Sequence, residues 1–155
     1  METQKCLFCR IAVEEVPSHI IMEDQKNMAF LDIYPLVEGQ TVVIPKQHFD
    51  GYAFDMPEED FKELSGFAGK VGKLIDKGLN VKRSMLVSQG FAIDHAHLKL
   101  FPVKDVKTTN VDEKTYSTLR NLLREQWYSG FVISMSGKER ESDEKLRSIA
   151  NKIKH

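Results

Sequence analysis

Cysteine is scarce in this sequence: Cys6 and Cys9 are the only two, with two residues between them. So small a number excludes a disulfide framework. In a reducing compartment a pair at this spacing more often marks a metal or redox site than a structural bridge. No apolar run approaches the ~20 residues that a membrane-spanning helix needs, so a membrane partner is not expected. The first residues, Met1 to Cys6, lack the apolar stretch of a signal peptide, and the expected location is cytoplasmic. An excess of positive charge is also missing. Basic and acidic residues number 22 and 23, for a net charge of −1, which is not the broad basic footprint of a nucleic-acid-binding protein. A small anionic ligand needs only a local positive site. Repeats, low-complexity tracts and long linkers are absent too. What remains is one ordinary globular domain of 155 residues, 41% of them hydrophobic, enough for one sizeable core.

The pattern of that apolar material changes along the chain. The segments 19–23 and 28–33 flank the polar turn Asp24-Gln25-Lys26-Asn27 and predict a hairpin. The β-branched run Thr41–Ile44 closes at Pro45 and predicts a buried strand. Asp55-Met56-Pro57 opens a helix over 58–77, with Asp55 or its neighbour as cap, Pro57 in the first turn, and Phe61, Leu64, Ala68, Val71 and Ile75 at helical spacing. Segments 84–88 and 96–101 predict two further strands. A second helix over 114–127, a strand over 131–135 and a short helix capped by Ser142 and carrying Leu146, Ile149 and Ile153 complete the reading. The class is α+β: a mainly antiparallel sheet packed against one long helix.

Three segments carry side chains suited to chemistry. In Asp94-His95-Ala96-His97-Leu98-Lys99-Leu100, alternation along a strand puts His95, His97 and Lys99 on one face and the apolar residues on the other. That arrangement is equally a half-exposed strand that happens to hold two histidines. Cys6-Leu7-Phe8-Cys9 can grip one metal ion from a tight turn; with no third cysteine, closing a four-ligand shell requires histidines, and His48 and His95 are the candidates. The other reading is a pair of idle or redox thiols. Asp32, at the end of the apolar run Met28–Leu31, can accept hydrogen bonds from a ribose diol, or simply begin a turn.

In combination, Cys6–Ile11, Ala29–Ile33, Val43–Phe49 and His95–Lys99 resemble the histidine-triad (HIT) superfamily, in order and approximate spacing from Cys6 to Pro102; the segment after about 103 matches loosely. The resemblance implies a nucleotide-binding α+β fold, usually a homodimer. It implies a nucleophilic role for His97, structural zinc (Zn2+) held by Cys6, Cys9, His48 and His95, a ribose-binding role for Asp32, and base packing by Leu7, Phe8, Ile11, Phe30 and Ile33. Two positions depart from the family pattern. Lys99 replaces the third histidine of the triad, and the phosphate-binding loop before the triad is shortened to Ser88-Gln89-Gly90-Phe91-Ala92-Ile93-Asp94, leaving Ser88 as its hydroxyl.

The function so implied is hydrolysis at the α-phosphate of a small nucleotide, of phosphoramidate or dinucleoside polyphosphate type. It would run through a nucleotidyl-His97 intermediate, with Lys99 holding phosphate oxygens. Nucleotide binding or sensing with little catalysis, and nucleotidyl transfer to an acceptor, are the competing readings.

Overall fold

The structure, a computed structural model, describes residues 6–90, 92–103, 137 and 139–155. The helix and strand expected at 114–127 and 131–135 lie outside the described residues. Among the described residues, five strands form one sheet: β1 (Ile20–Glu23), β2 (Asn27–Leu31), β3 (Thr41–Pro45), β4 (Arg83–Ser88) and β5 (Leu98–Val103). Their order is β1-β2-β3-β5-β4, and every neighbouring pair is antiparallel.

The first hairpin turns because Asp24 folds its own backbone. Its Oδ1 accepts from the Lys26 and Asn27 amides at 2.9 and 2.7 Å, the local alternative that Asp offers a chain at a turn. Helix α1 (Leu7–Ala12) precedes the sheet, α2 (Glu58–Gly78) links β3 to β4, and α3 (Asp143–Lys154) ends the chain. The α2 cap differs from expectation. Pro57 itself is the N-cap and no side chain caps the helix; Glu58, Glu59 and Asp60 instead place negative charge at its positive end. Ser142 caps α3 as expected, its hydroxyl accepting from the Lys145 amide at 3.3 Å.

Alternation sorts the sheet's side chains into two cores. Ala29, Leu31, Val43, Leu98 and Leu100 face α2 and α3 and pack with Leu64, Val71, Ile75, Leu146 and Ile153. Met28, Phe30, Val42 and Ile44 face the other way, onto Phe8 and Ile11 of α1. Strands β2 and β3 are therefore buried on both faces, which is why their sequences read as continuous apolar runs. Helix α3 fits only because α2 ends in glycine. A Cβ on Gly78 would sit 2.5 Å from the Ile153 Cα and the Lys152 carbonyl oxygen.

Strand β5 corrects one boundary. The expectation was a strand over 96–101 with the histidines on it; the pairing begins at Leu98, so His95 and His97 lie in the irregular segment that enters β5. The alternation nevertheless persists through that segment. Ala96 joins the core beneath α2, and both imidazoles lie on the α1 side, 0% and 3% exposed. They are not half-exposed residues of a solvated strand.

Candidate active site and metal centre

Helix α1 brings the cysteines to the histidines. Cys6 is its N-cap and Cys9 lies in its first turn, so the thiols are spaced by helical rotation and not by the tight turn expected. The burial of Phe8 and Ile11 in the second core seats the helix. On the other side, three hydrogen bonds stitch the segment after β3 to the segment before β5. His95 Nε2–H donates to the Pro45 carbonyl at 2.8 Å, the Ala96 amide to the Phe49 carbonyl at 2.8 Å, and the Gly51 amide to Asp94 Oδ1 at 2.8 Å. These contacts set the His48 ring 5.1 Å from the His95 ring, edge to face.

The result is a four-residue cluster. One donor atom from each of Cys6, Cys9, His48 and His95 lies within 4.8 Å of all the others. Cys6 Sγ is 3.4 Å from His95 Nδ1, Cys9 Sγ is 3.3 Å from His48 Nδ1, and Cys9 Sγ is 3.5 Å from His95 Nδ1. A tetrahedral zinc shell with typical bond lengths, about 2.3 Å to sulfur and about 2.0–2.1 Å to nitrogen, sets sulfur–nitrogen edges near ~3.5 Å. The donor set thus fits zinc in kind and in spacing. The carbonyl of Pro45 also fixes the His95 tautomer, leaving Nδ1 bare toward the thiols, as a metal-ligating imidazole requires. Burial and the hydrogen bond to Cys6 push the Cys9 thiol up to about 11.

Burial, with smaller contributions from His48 and His97, lowers His95 from its ordinary 6.5 to about 4. A base with a lowered folded pKa is protonated more readily in the unfolded chain, so stability is full above the unfolded value and drains as pH falls. The melting temperature is therefore expected to drop steadily between about pH 6.5 and about pH 4. A flat profile by circular dichroism across that interval would contradict the neutral buried imidazole.

His97 is oriented by its neighbour. Its Nδ1–H donates to the His95 carbonyl at 2.7 Å, which leaves Nε2 as the unprotonated nitrogen. Burial, then the Lys99 charge, lowers its pKa and holds it neutral. Phe8 packs edge to face on it, ring centres 5.4 Å apart, and on Phe30 at 5.7 Å. Of the expected base-packing residues, Phe8, Ile11 and Phe30 share this one cluster. Leu7 and Ile33, at 43% and 37% exposed, lie outside it.

Lys99 and Asp32 meet. Lys99 Nζ is 3.5 Å from Asp32 Oδ2, with the side chains 12% and 10% exposed. Asp32 also begins a turn, its Oδ1 accepting from the Tyr34 amide at 2.9 Å, so the plain structural alternative for this residue is realised. Ser88 is not brought to His97. It pairs with Leu98, and opposite residues of an antiparallel pair share a face, so it lies toward α2 while Val87 shares the Lys99 face. One residue absent from the sequence reading belongs here. Gln40 is fully buried, and its Nε2–H donates to Asp32 Oδ2 at 2.8 Å. Its only sequence signal was an amide directly before an apolar strand.

The HIT domain family model matches residues 13–106. The chain belongs to the HIT family. The match excludes the cysteine pair, which stands before it, and helix α3, which follows it. Among curated relatives, an uncharacterised HIT-like protein of Methanocaldococcus jannaschii is 31% identical over 125 residues, covering 70% of this chain and 94% of that one. The adenosine 5'-monophosphoramidase of Saccharomyces cerevisiae is 33% identical over 104 residues, covering 66% of this chain and 65% of that one. Among solved structures, a zinc-bound histidine-triad family protein of Mycobacterium smegmatis superposes with a TM-score of 0.62 at 25% identity, covering 79% of this chain and 96% of that one. A HIT-like protein of Bartonella henselae, at 21% identity, shares the fold with a TM-score of 0.70, over 97% of this chain and 95% of that one. Among the described residues, no helix is long and apolar enough to cross a membrane.

Proposed function

We propose that this HIT-family chain is a nucleotide hydrolase that cleaves at the α-phosphate of a small nucleotide through a covalent intermediate on His97. The single observation that carries the reading is the His97 tautomer: Nδ1–H is spent on the His95 carbonyl, so the basic Nε2 lone pair is held available. The similarity to an adenosine 5'-monophosphoramidase supports the substrate class. In the first step Nε2 forms a bond to the α-phosphorus and the bond from phosphorus to the leaving group breaks, the leaving group departing with the electron pair and taking a proton from water. In the second, water attacks the same phosphorus and gives up a proton to solvent, the nitrogen–phosphorus bond breaks with its electron pair returning to Nε2, and nucleoside monophosphate leaves with His97 restored. Fixed donors and charges supply most of the acceleration in phosphoryl transfer, and in this reading Lys99 would hold phosphate oxygens.

Cys6, Cys9, His48 and His95 would hold zinc with no position open to water, so the metal would tie α1 to the segment carrying His97 and not activate a nucleophile. The ion pair with Asp32 also sets an expectation for Lys99. Taking one partner from a buried pair leaves the other charge uncompensated, typically at ~3–5 kcal/mol. Lys99→Ala is therefore expected to lower both nucleotide affinity and rate. Lys99→His, which restores the common triad residue, is expected to lower kcat/KM on adenosine phosphoramidate by about tenfold, since an imidazole lacks the permanent positive charge that Lys99 presents beside Asp32. A rate above that of the wild type would mark Lys99 as a degenerate position and favour the binding or sensing reading.

A further inference from the structure

Gln40 plays no part in the mechanism above, yet it is a fully buried polar side chain bonded at both ends of its amide. It is 0% exposed. Its Oε1 accepts from the Leu36 amide at 2.7 Å, which leaves Nε2 as the end facing Asp32, and there it donates to Oδ2 at 2.8 Å. Its backbone carbonyl accepts from the Asp32 amide at 2.9 Å. One residue thus ties the end of the 32–40 loop to its middle, at Leu36, and to the backbone and carboxylate of Asp32 at its start. Burying an amide is unfavourable unless each end is paired. An apolar side chain of similar length would fill the same space without that cost, so the amide is explained by what it holds.

What it holds is the anion that faces Lys99. Asp32 Oδ2 receives both the Gln40 amide and, at 3.5 Å, the Lys99 ammonium, while Oδ1 is tied to the Tyr34 amide. We propose that Gln40 is a positioning residue: it fixes the Asp32 carboxylate, and through it the Lys99 ammonium, beside His97 to receive an anionic nucleotide. The neutrality of the amide matters as much as its hydrogen bond. Gln40 adds no charge beside the Asp32–Lys99 pair. A second carboxylate at position 40 would add a negative charge there and repel phosphate.

This inference rests on the nucleotide reading, and the experiment separates the two. Adenosine monophosphate binding to the full chain is measured by calorimetry for the wild type, Gln40→Met and Gln40→Glu, alongside the Lys99 ammonium resonance in a 15N-labelled sample. Gln40→Met is expected to weaken binding about tenfold, the weight of one charge-assisted hydrogen bond, and to shift the Lys99 resonance. Gln40→Glu is expected to bind poorly at pH 8 and to recover, relative to the wild type, as pH falls. Protonation lets the introduced carboxyl donate to Asp32 as the amide does. A purely structural role would not produce that pH dependence. Wild-type affinity in Gln40→Met, or a Gln40→Glu profile parallel to the wild type, overturns the proposal. If Gln40→Met does not fold, the Gln40→Glu profile decides. If the wild type itself fails to bind the nucleotide, the nucleotide reading falls, and an unmoved Lys99 resonance in the variants then overturns the positioning role separately.

Discussion

Replacing His97 with alanine is expected to lower turnover of adenosine phosphoramidate by at least ~1000-fold while leaving the affinity for adenosine monophosphate within about threefold of the wild type. On the proposed mechanism the two effects separate, because His97 would contribute the attacking nitrogen, whereas binding would draw also on Lys99 and on the Phe8 and Phe30 rings packed beside it. The variant also loses the edge-to-face contact between His97 and Phe8, so its melting temperature is recorded with the kinetics. Single-turnover assays with labelled nucleotide check the covalent step directly, since the adduct is expected in the wild type and absent from the variant. Undiminished turnover in His97→Ala would remove the catalytic reading and leave a nucleotide-binding member of the family.

The second large effect concerns metal. Protein purified without chelator is expected to carry one zinc per chain, and Cys9→Ser to lose it. Cys9 is the member of the cluster whose sulfur lies near both imidazoles, 3.3 Å from His48 Nδ1 and 3.5 Å from His95 Nδ1. Structural zinc contributes directly to folding free energy. A loss of several kcal/mol in a chain of this size corresponds to a fall in melting temperature of ~10 °C or more. Elemental analysis and thermal melts of both proteins check this. A metal-free wild type that melts where the zinc-loaded protein does would end the assignment. Zinc loss is also expected to reduce activity indirectly, because the same cluster anchors α1, and α1 carries the Phe8 ring that packs on His97.

Much of this architecture was legible because it depends on local pattern. An apolar run beside a polar turn at Met28–Leu31 and a β-branched run at Thr41–Ile44 named strands, and helical spacing from Phe61 to Ile75 named α2. Two-residue alternation placed His95, His97 and Lys99 on one face even though the hydrogen-bonded strand starts only at Leu98. The face survives because extended backbone keeps its twofold alternation whether or not a neighbour pairs with it. Helix α1 was missed: Leu7–Ala12 is six residues, below the length at which an isolated helix is stable, and it exists through the burial of Phe8 and Ile11.

The sequence by itself determined which side chains were available and how each lay along its own segment: the cysteine pair, the alternating histidines, the lysine in the third position and the α+β class. Only the tertiary structure decided which of them meet. Cys9 and His48 are 39 residues apart in the chain, Cys6 and His95 are 89, and Asp32 and Lys99 are 67. Contacts at such separations depend on strand order, register and the hydrogen bonds that stitch Pro45–Gly51 to Asp94–Ala96, none of which has a local signature. The same reason hid Gln40 and the face of the sheet on which Ser88 lies. A buried amide and a strand-end serine look alike in sequence until the fold shows that one reaches Asp32 and the other lies opposite Leu98 on the far face of the sheet.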